Sequence, residues 1–575
     1  MVNSIVYVST WIWQRRYWLV YWVVVFGIYW ANTFHTNFSD EFDNIVGGWY
    51  INHGILPYIG FFTHHNPGAY FLSALITLFT KQSFVVFRIV WGGMLFLAVC
   101  SSYFFLRKHV GIKDTWFFLG YTVLVGLSAT YYWGHMMLSE TIVGYLLIPV
   151  YGLVFIKALR GQVFTYRDVW FVSIGTALAL FTSFTFIFST AILVGFVALL
   201  YLRQIRLIQD IKRFCISTGK IMGIFILPYV IFLAYLIVSG SLPKFYFQSI
   251  TYNRDYYIYN FPKVSGQISK NPARYALSIL YETSNQFNTL SFQVRDFNFA
   301  YPINITLLVA NVTVFIYLFL RKKNFQAVVI YLFIVYLNAR AEPLNSGETD
   351  FHSTVYIMVS LFNLSFIVWE VWHALNAKLS SAIRLINSTL FLFVGVYGVF
   401  LTAFFARNFA DKTYAKIMGQ APIIYDDPVV APIINKIVSK DEYFWIGPFE
   451  FQELLYINGR LPSKYHWFLP AHERSEQIRT EFISDLTRNR PKIIVFKGNL
   501  GYFGKLPQEF NYPIANFLRD YYFRLIDLEA ENKKFKPTRT DLHNFDIAEN
   551  FYFDKSKKNE IVEQLLRENI IKPAE

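Results

Sequence analysis

The sequence predicts a polytopic α-helical membrane protein of about eleven spans, followed by a small extracytoplasmic α/β domain at its C-terminal end. Three observations predict it. Hydrophobic residues make up 55% of the 575 positions and charged residues only 16%, where a soluble globular chain carries about a quarter charged. Apolar runs of about 20 residues, long enough to cross a hydrocarbon core, recur as far as position 405. From about Arg407 the runs shorten and charged residues become frequent.

The first run lies near 17–34. Arg15-Arg16 precedes it, it is rich in aromatic residues and no small-residue cleavage site follows, so it reads as an uncleaved span with a cytoplasmic N-terminus. The loop 35–68 contains no Lys or Arg. The apolar helical stretch Ala69–Thr80 is short for a span and suits a re-entrant or interfacial position. Spans follow near 84–106, 115–132 and 137–156, and two more within 168–202 are joined by a tight turn near Thr182-Ser183. The last five fall near 216–239, 302–320, 325–338, 354–372 and 385–405. With this count the short basic clusters, from Arg107-Lys108 to Arg321-Lys322-Lys323 and Arg384, share one side, as the positive-inside rule requires. Loops 35–68, 131–139, 240–300 and 339–352 fall on the other side, with the C-terminal region.

Residues 1–406 therefore read as the membrane domain and 407–575 as the α/β domain. Within the latter, Val430–Lys440, Glu450–Asn458 and Ser475–Arg488 have helical patterns, and Lys555–Glu568 reads as a solvated helix. Glu442–Ile446 and Lys492–Lys497 read as strands.

The formal charge of +14 does not point to nucleic acid, because the membrane-domain cations sit mostly in short clusters between apolar runs. Cys100 and Cys215 lie in or beside apolar runs and make no disulfide framework or metal pair.

The residues with chemical potential gather on the loops. Ser39 is a natural N-cap for a helix running to about Asn52, with Asp40, Glu41 and Asp43 in its first turn. Complementarity to the helix dipole alone would favour acids there. The loop is nevertheless unusual in lacking any cation and in holding His35, His53, His64 and His65, four of the 11 histidines. Glu140 opens an apolar span, where an ionisable group is a functional candidate and snorkelling is the bland alternative. Arg254 in loop 240–300, and Arg340 and His352 around loop 339–352, are cations on the side the charge bias disfavours; binding a phosphate at the membrane surface is one reason for them to be there.

The order of these motifs resembles the GT-C membrane glycosyltransferases, in particular the protein O-mannosyltransferase and lipid A aminoarabinose transferase superfamily. The residues that carry the resemblance are Asp40-Glu41 after the first span, Gly54 to Tyr58, His65-Asn66-Pro67 opening a short apolar helix, Arg88, Glu140 and Phe351-His352. Phe444 to Gly447, Leu455 to Arg460 and Lys464-Tyr465 resemble the outer domain of bacterial members. The usual His-Pro-Pro is His65-Asn66-Pro67 here, followed by Gly68, and the segment after Arg340 is more acidic than the family's, with Glu342, Glu348 and Asp350.

The resemblance implies an inverting transfer of a sugar from a polyprenyl-phosphate donor to an acceptor hydroxyl, on a glycan, lipid or protein, outside the membrane. It implies Asp40 as general base, with Glu41 and Glu140 orienting base or acceptor. It implies His65, Arg340, His352 and Arg254 as contacts of the donor phosphate. It makes no cofactor certain and leaves a divalent metal ion open, since metal-dependent branches would use Glu41 and Glu140 to hold one. Two other classes compete: a transporter or flippase of lipid-linked glycans, which would carry ionisable groups at mid-span and broken helices in matched halves, and a non-catalytic envelope assembly protein whose outer domain binds a ligand.

Overall fold

A computed structural model describes residues 2–111, 113–204, 211–257, 273, 277, 302–337, 351–375, 381–420, 426, 428–497, 501–502, 504–527, 535–537, 541–542 and 545–573. The chain divides into two compact units. The first comprises Met1–Asn37, Val85–Ala234 and Asn271–Ile424; the second comprises Phe38–Phe84, Tyr235–Lys270 and Tyr425–Glu575.

The helices follow the apolar runs in order: α1 (Val2–Asn32), α2 (Ser39–Asn52), α3 (Gly68–Thr80), α4 (Phe84–Val110), α5 (Phe117–Ser128), α6 (Ser139–Arg160), α7 (Tyr166–Thr182), α8 (Ile187–Arg203) and α9 (Ile211–Val238). Beyond them come α10 (Pro302–Leu320), α11 (Asn324–Leu337), α12 (Thr354–Leu375) and α13 (Ser381–Ile417). Several are long and apolar enough to cross a membrane, and the chain is an integral membrane protein. The count differs from expectation: among the described residues five helical stretches qualify, not eleven. They are Phe84–Val110, Ser139–Arg160, Phe184–Arg203, Phe214–Val238 and Phe351–Glu370. For three of the expected spans, those of α5, α7 and α11, the reason is length. At 1.5 Å per residue the 12 residues of α5 reach only ~18 Å of a ~30 Å hydrocarbon core. α11 has 14 residues and α7 has 17.

In the first unit α6 and α12 are buried almost throughout, whereas α9 leaves most of its surface open. Small residues let the inner helices close up: a Cβ on Gly144 would fall 2.5 Å from the Met358 sulfur, and Gly152 faces Leu106 and Phe362. Phe362 packs among Phe117, Tyr151 and Phe155. A polar chain crosses the same core. Tyr151 Oη donates to Asn363 Oδ1 at 2.8 Å, Asn363 Nδ2 donates to Asn311 Oδ1 at 3.0 Å, and Asn311 Nδ2 donates to Ser360 Oγ at 3.0 Å. Such bonds join helices where apolar packing alone gives little preference over lipid.

At one end of these helices the charges are closed by partners. Thr165 and Asp168 form a capping box that starts α7, and Lys157 Nζ reaches Asp168 Oδ2 at 2.7 Å. Arg160 pairs with Glu370, which also accepts from Tyr317 Oη at 2.6 Å.

In the second unit the segment 425–575 folds around a four-stranded sheet. Strands β1 (Phe444–Gly447), β2 (Ile493–Phe496), β3 (Tyr522–Arg524) and β4 (Phe551–Asp554) lie in the order β1-β2-β4-β3. β1 and β2 are parallel, with Phe444 opposite Ile493, and β4 runs antiparallel to β2 and β3. The helix Glu476–Arg488 is capped by Ser475, whose Oγ accepts from Ile478 N, and packs Phe482 against Trp445, Tyr465 and Phe468. Two sequence expectations are corrected here. The predicted helix Glu450–Asn458 is only Phe451–Leu454, because Glu453 turns inward and accepts from the N–H groups of Val429, Val430 and Ala431. The helix expected at Lys555–Glu568 forms as Lys558–Arg567 but is not simply solvated, since Ile561 and Leu565 are fully buried.

Candidate functional site

The acidic helix α2 forms where the sequence places it, with one correction. Phe38 is the N-cap, with extended backbone and no side-chain cap, so Ser39 is already helical. Asp40 and Glu41 occupy the first turn. They differ in access: Asp40 is partly exposed, whereas Glu41 is completely buried. Asp43 follows one turn after Asp40 and is also buried.

α2 packs along α3 at unusually close range. A Cβ on Gly47 would lie 2.3 Å from the Tyr70 ring, and one on Gly48 would lie 2.6 Å from the Ala74 backbone nitrogen. Asn52 closes the far end by donating to Ala74 O and Thr77 Oγ1, each at 2.8 Å. The bare face at Gly47 brings Tyr70 up to the acid helix. Its hydroxyl donates to Asp43 Oδ2 at 2.7 Å and shares a 2.7 Å hydrogen bond with Thr63. Asp43 Oδ1 lies 3.5 Å from Nε2 of the buried His466.

The connection between α2 and α3 is a tight, tied loop. Gly54 ends α2 with a φ of 79°, the left-handed conformation in which glycine has no penalty. Tyr58 holds a φ of 69°, which costs a residue with a side chain on the order of 1–3 kcal/mol and persists only where the surroundings impose it. Those surroundings are specific. Tyr58 is fully buried, its hydroxyl donates to His65 O at 2.8 Å, and its own carbonyl accepts from Gln248 Nε2 at 2.8 Å. Gln248 Oε1 accepts from Thr63 N at 3.0 Å, so one side-chain amide clamps both flanks of the loop. Asn253 Nδ2 donates to His64 O at 2.8 Å. Gln248 lies in a single stretch of π-helix, Tyr246–Thr251, a wide turn that recurs at functional sites.

The C-terminal segment completes the loop's setting. Phe62 N donates to Lys464 O at 2.8 Å, and the Phe62 ring packs against Tyr252, Tyr465, Trp467 and His472. His472 Nδ1 accepts from Leu469 N and faces Tyr252 Oη, each at 3.2 Å, which leaves its proton on Nε2. Complete burial, with His466 nearby, holds the His472 imidazole well below its ordinary pKa. His64 and His65 are half-buried and stacked with ring centroids 3.9 Å apart, and Tyr257 covers His64 at 4.4 Å.

The predicted site residues thus divide. Asp40, Glu41, His65 and Arg254 belong to the second unit. Arg254 there is exposed and engaged by its neighbour, Nη2 to Asp255 Oδ2 at 2.6 Å. Glu140, in the first turn of α6, and His352, stacked on Phe351 just before α12, belong to the first unit. Arg340 lies outside the described residues. Among the described residues no group of three or more His, Cys, Asp or Glu is placed to hold a metal ion. Asp43, Gln248, Asn253, His466 and His472 were not singled out by sequence reasoning as site residues. Apart from the acidic turn in which Asp43 stands, none lies in a local pattern that marks it.

No protein-family model matches this chain, and no curated protein matches it.

Proposed function

We propose that the protein is an inverting glycosyltransferase, moving a sugar from a polyprenyl-phosphate donor to an acceptor hydroxyl at the extracytoplasmic membrane surface. The observation that carries this reading is the pairing of an accessible Asp40 with a buried Glu41 on a helix braced through Asp43, Tyr70 and His466, next to a clamped loop bearing His64 and His65. The motif order that resembles the GT-C superfamily supports it, as does the membrane character of the chain. In this reading the membrane domain has a cytoplasmic N-terminus and an outer C-terminal domain, in the plasma membrane.

An acceptor hydroxyl is a poor nucleophile, so a carboxylate must take its proton as the new glycosidic bond forms. Asp40, partly exposed at the helix start, does this. Glu41, buried beside it, fixes the geometry. As the sugar–phosphate bond breaks, the lipid phosphate takes the electron pair, and the imidazole of His65, with Arg254, stabilises that charge. The brace matters because general-base catalysis demands a fixed carboxylate.

The test is sugar transfer in membranes from a radiolabelled polyprenyl-phosphate donor. Asp40→Asn keeps the shape and removes the base, and transfer should fall by roughly 10²–10⁴-fold. Unchanged transfer with Asp40→Asn would overturn the assignment.

A further inference from the structure

The first unit carries a set of cations that the proposed transfer does not use. Arg88, on α4, is among the largest fully buried side chains of the described residues. Its Nη2 donates to Thr36 O at 3.0 Å and Nη1 reaches Thr33 O at 3.5 Å, both just beyond the end of α1. His135, before α6, places Nε2 3.2 Å from the same Thr36 oxygen. The His35 ring lies 6.3 Å from that of His135 and 6.4 Å from Phe409 on α13. Phe409, Lys412 and Lys416 follow one face of that helix at spacings of three and four. Lys412 Nζ donates to Thr130 O at 3.1 Å, which fixes this face beside the turn that follows α5.

These groups act on one another. Lys416, Lys412 and Arg88 each disfavour a proton on His35 and, after burial, are what holds it down at about 4. Arg88 likewise disfavours the charge on Lys416. His35 is only 3% exposed, and its Nε2 meets no hydrogen-bond partner among the described residues. A buried polar nitrogen left in that state costs roughly 1–3 kcal/mol. Pairing the carbonyls just beyond α1 explains an arginine at position 88. It does not explain why two lysines and two imidazoles share its surroundings.

We propose that Arg88, Lys412, Lys416 and His35 form a binding site for a phosphate group. Arginine and lysine from separate helices suit a compact anion with several oxygens, and a neutral imidazole adds a hydrogen bond without further charge. A lipid headgroup and a free phosphate present the same chemistry. The site is independent of sugar transfer: it is read by binding alone, whatever Asp40→Asn does.

The experiment uses the full chain in phosphatidylcholine nanodiscs, with ¹³C- and ¹⁵N-labelled histidine and His35→Asn to assign the His35 signal. One arm titrates inorganic phosphate; the other dopes the discs with phosphatidic acid. A saturable shift of the His35 signal is expected in at least one arm, and which arm responds identifies the source. Lys412→Gln/Lys416→Gln should weaken that binding by about tenfold or more, the equivalent of about 1.4 kcal/mol. Lys322→Gln, which removes an exposed cation of the same unit, should leave it unchanged. No shift in either arm, or equal affinity in the wild type and a double variant that keeps the wild-type circular dichroism, overturns the proposal.

Discussion

Asp168 in the first unit and Asp43 in the second are both buried carboxylates near a helix start, yet they are held in opposite ways. Asp168 finds its partners close by in sequence: Thr165 N at 2.7 Å, Thr165 Oγ1 at 2.9 Å and Lys157 Nζ at 2.7 Å. Asp43 is held by Tyr70, 27 positions away, and by His466 from the far end of the chain. The first arrangement can form as soon as two neighbouring helices meet. The second exists only when distant stretches of chain have folded together. Closure at Asp168 is local, and closure at Asp43 is long-range.

Substitution should expose the difference. The largest effect is expected for Asp168→Ala, which strands Lys157 as a buried charge; losses from breaking such pairs run to about 3–5 kcal/mol. Thermal unfolding in detergent should register it, with Lys157→Ala/Asp168→Ala recovering part of the loss. Acidification should come next and should not separate the two units, because both contain histidines held neutral by burial. His35 is held at about 4, and His135 and His472 well below the ordinary value. Above about pH 6.5 both folded and unfolded chains leave these groups neutral. As pH falls below that, only the unfolded chain takes up protons, so stability declines from about 6.5 down to the folded-state values. At pH 5 each such histidine should cost on the order of 1–2 kcal/mol, measured as a fall in the unfolding midpoint from pH 7. The smallest effect is expected in a double-mutant cycle of Asp43→Ala and His466→Ala. Coupling of about 1 kcal/mol between residues so distant in sequence would place the brace in the folded protein; strict additivity would remove it.

The same distinction decides what could be read from the sequence. The bounds of α2, the short helix α3, the turn between α7 and α8 near Ser183 and strand β2 were all legible, because apolar periodicity and capping residues act over a few positions. Asp40 and Glu41 were legible as a pair in a first helical turn, but not their difference in burial, which depends on what packs over them. The span count fell short in part because the apolar runs of α5, α7 and α11 are real but the helices they form are short. Gln248 and Asn253 could not be found at all. Their amides read backbone atoms of residues 58, 63 and 64, roughly 190 positions earlier, and a π-turn has no sequence signature comparable to an N-cap. His466 and His472 are illegible for the same reason: an isolated histidine announces nothing until its neighbours are known.

The hydrogen bond from Phe62 to the carbonyl of Lys464 also has a consequence for how the molecule is made. A ribosome adding about 5–20 residues per second needs roughly 20–80 s to travel from the first of these residues to the second. During that interval the loop beside the acid helix has been synthesised without the segment that secures it. Completion of this region is therefore timed by the arrival of the last part of the polypeptide, and a chain broken off within the C-terminal segment would insert its helices yet leave the acid helix without its brace.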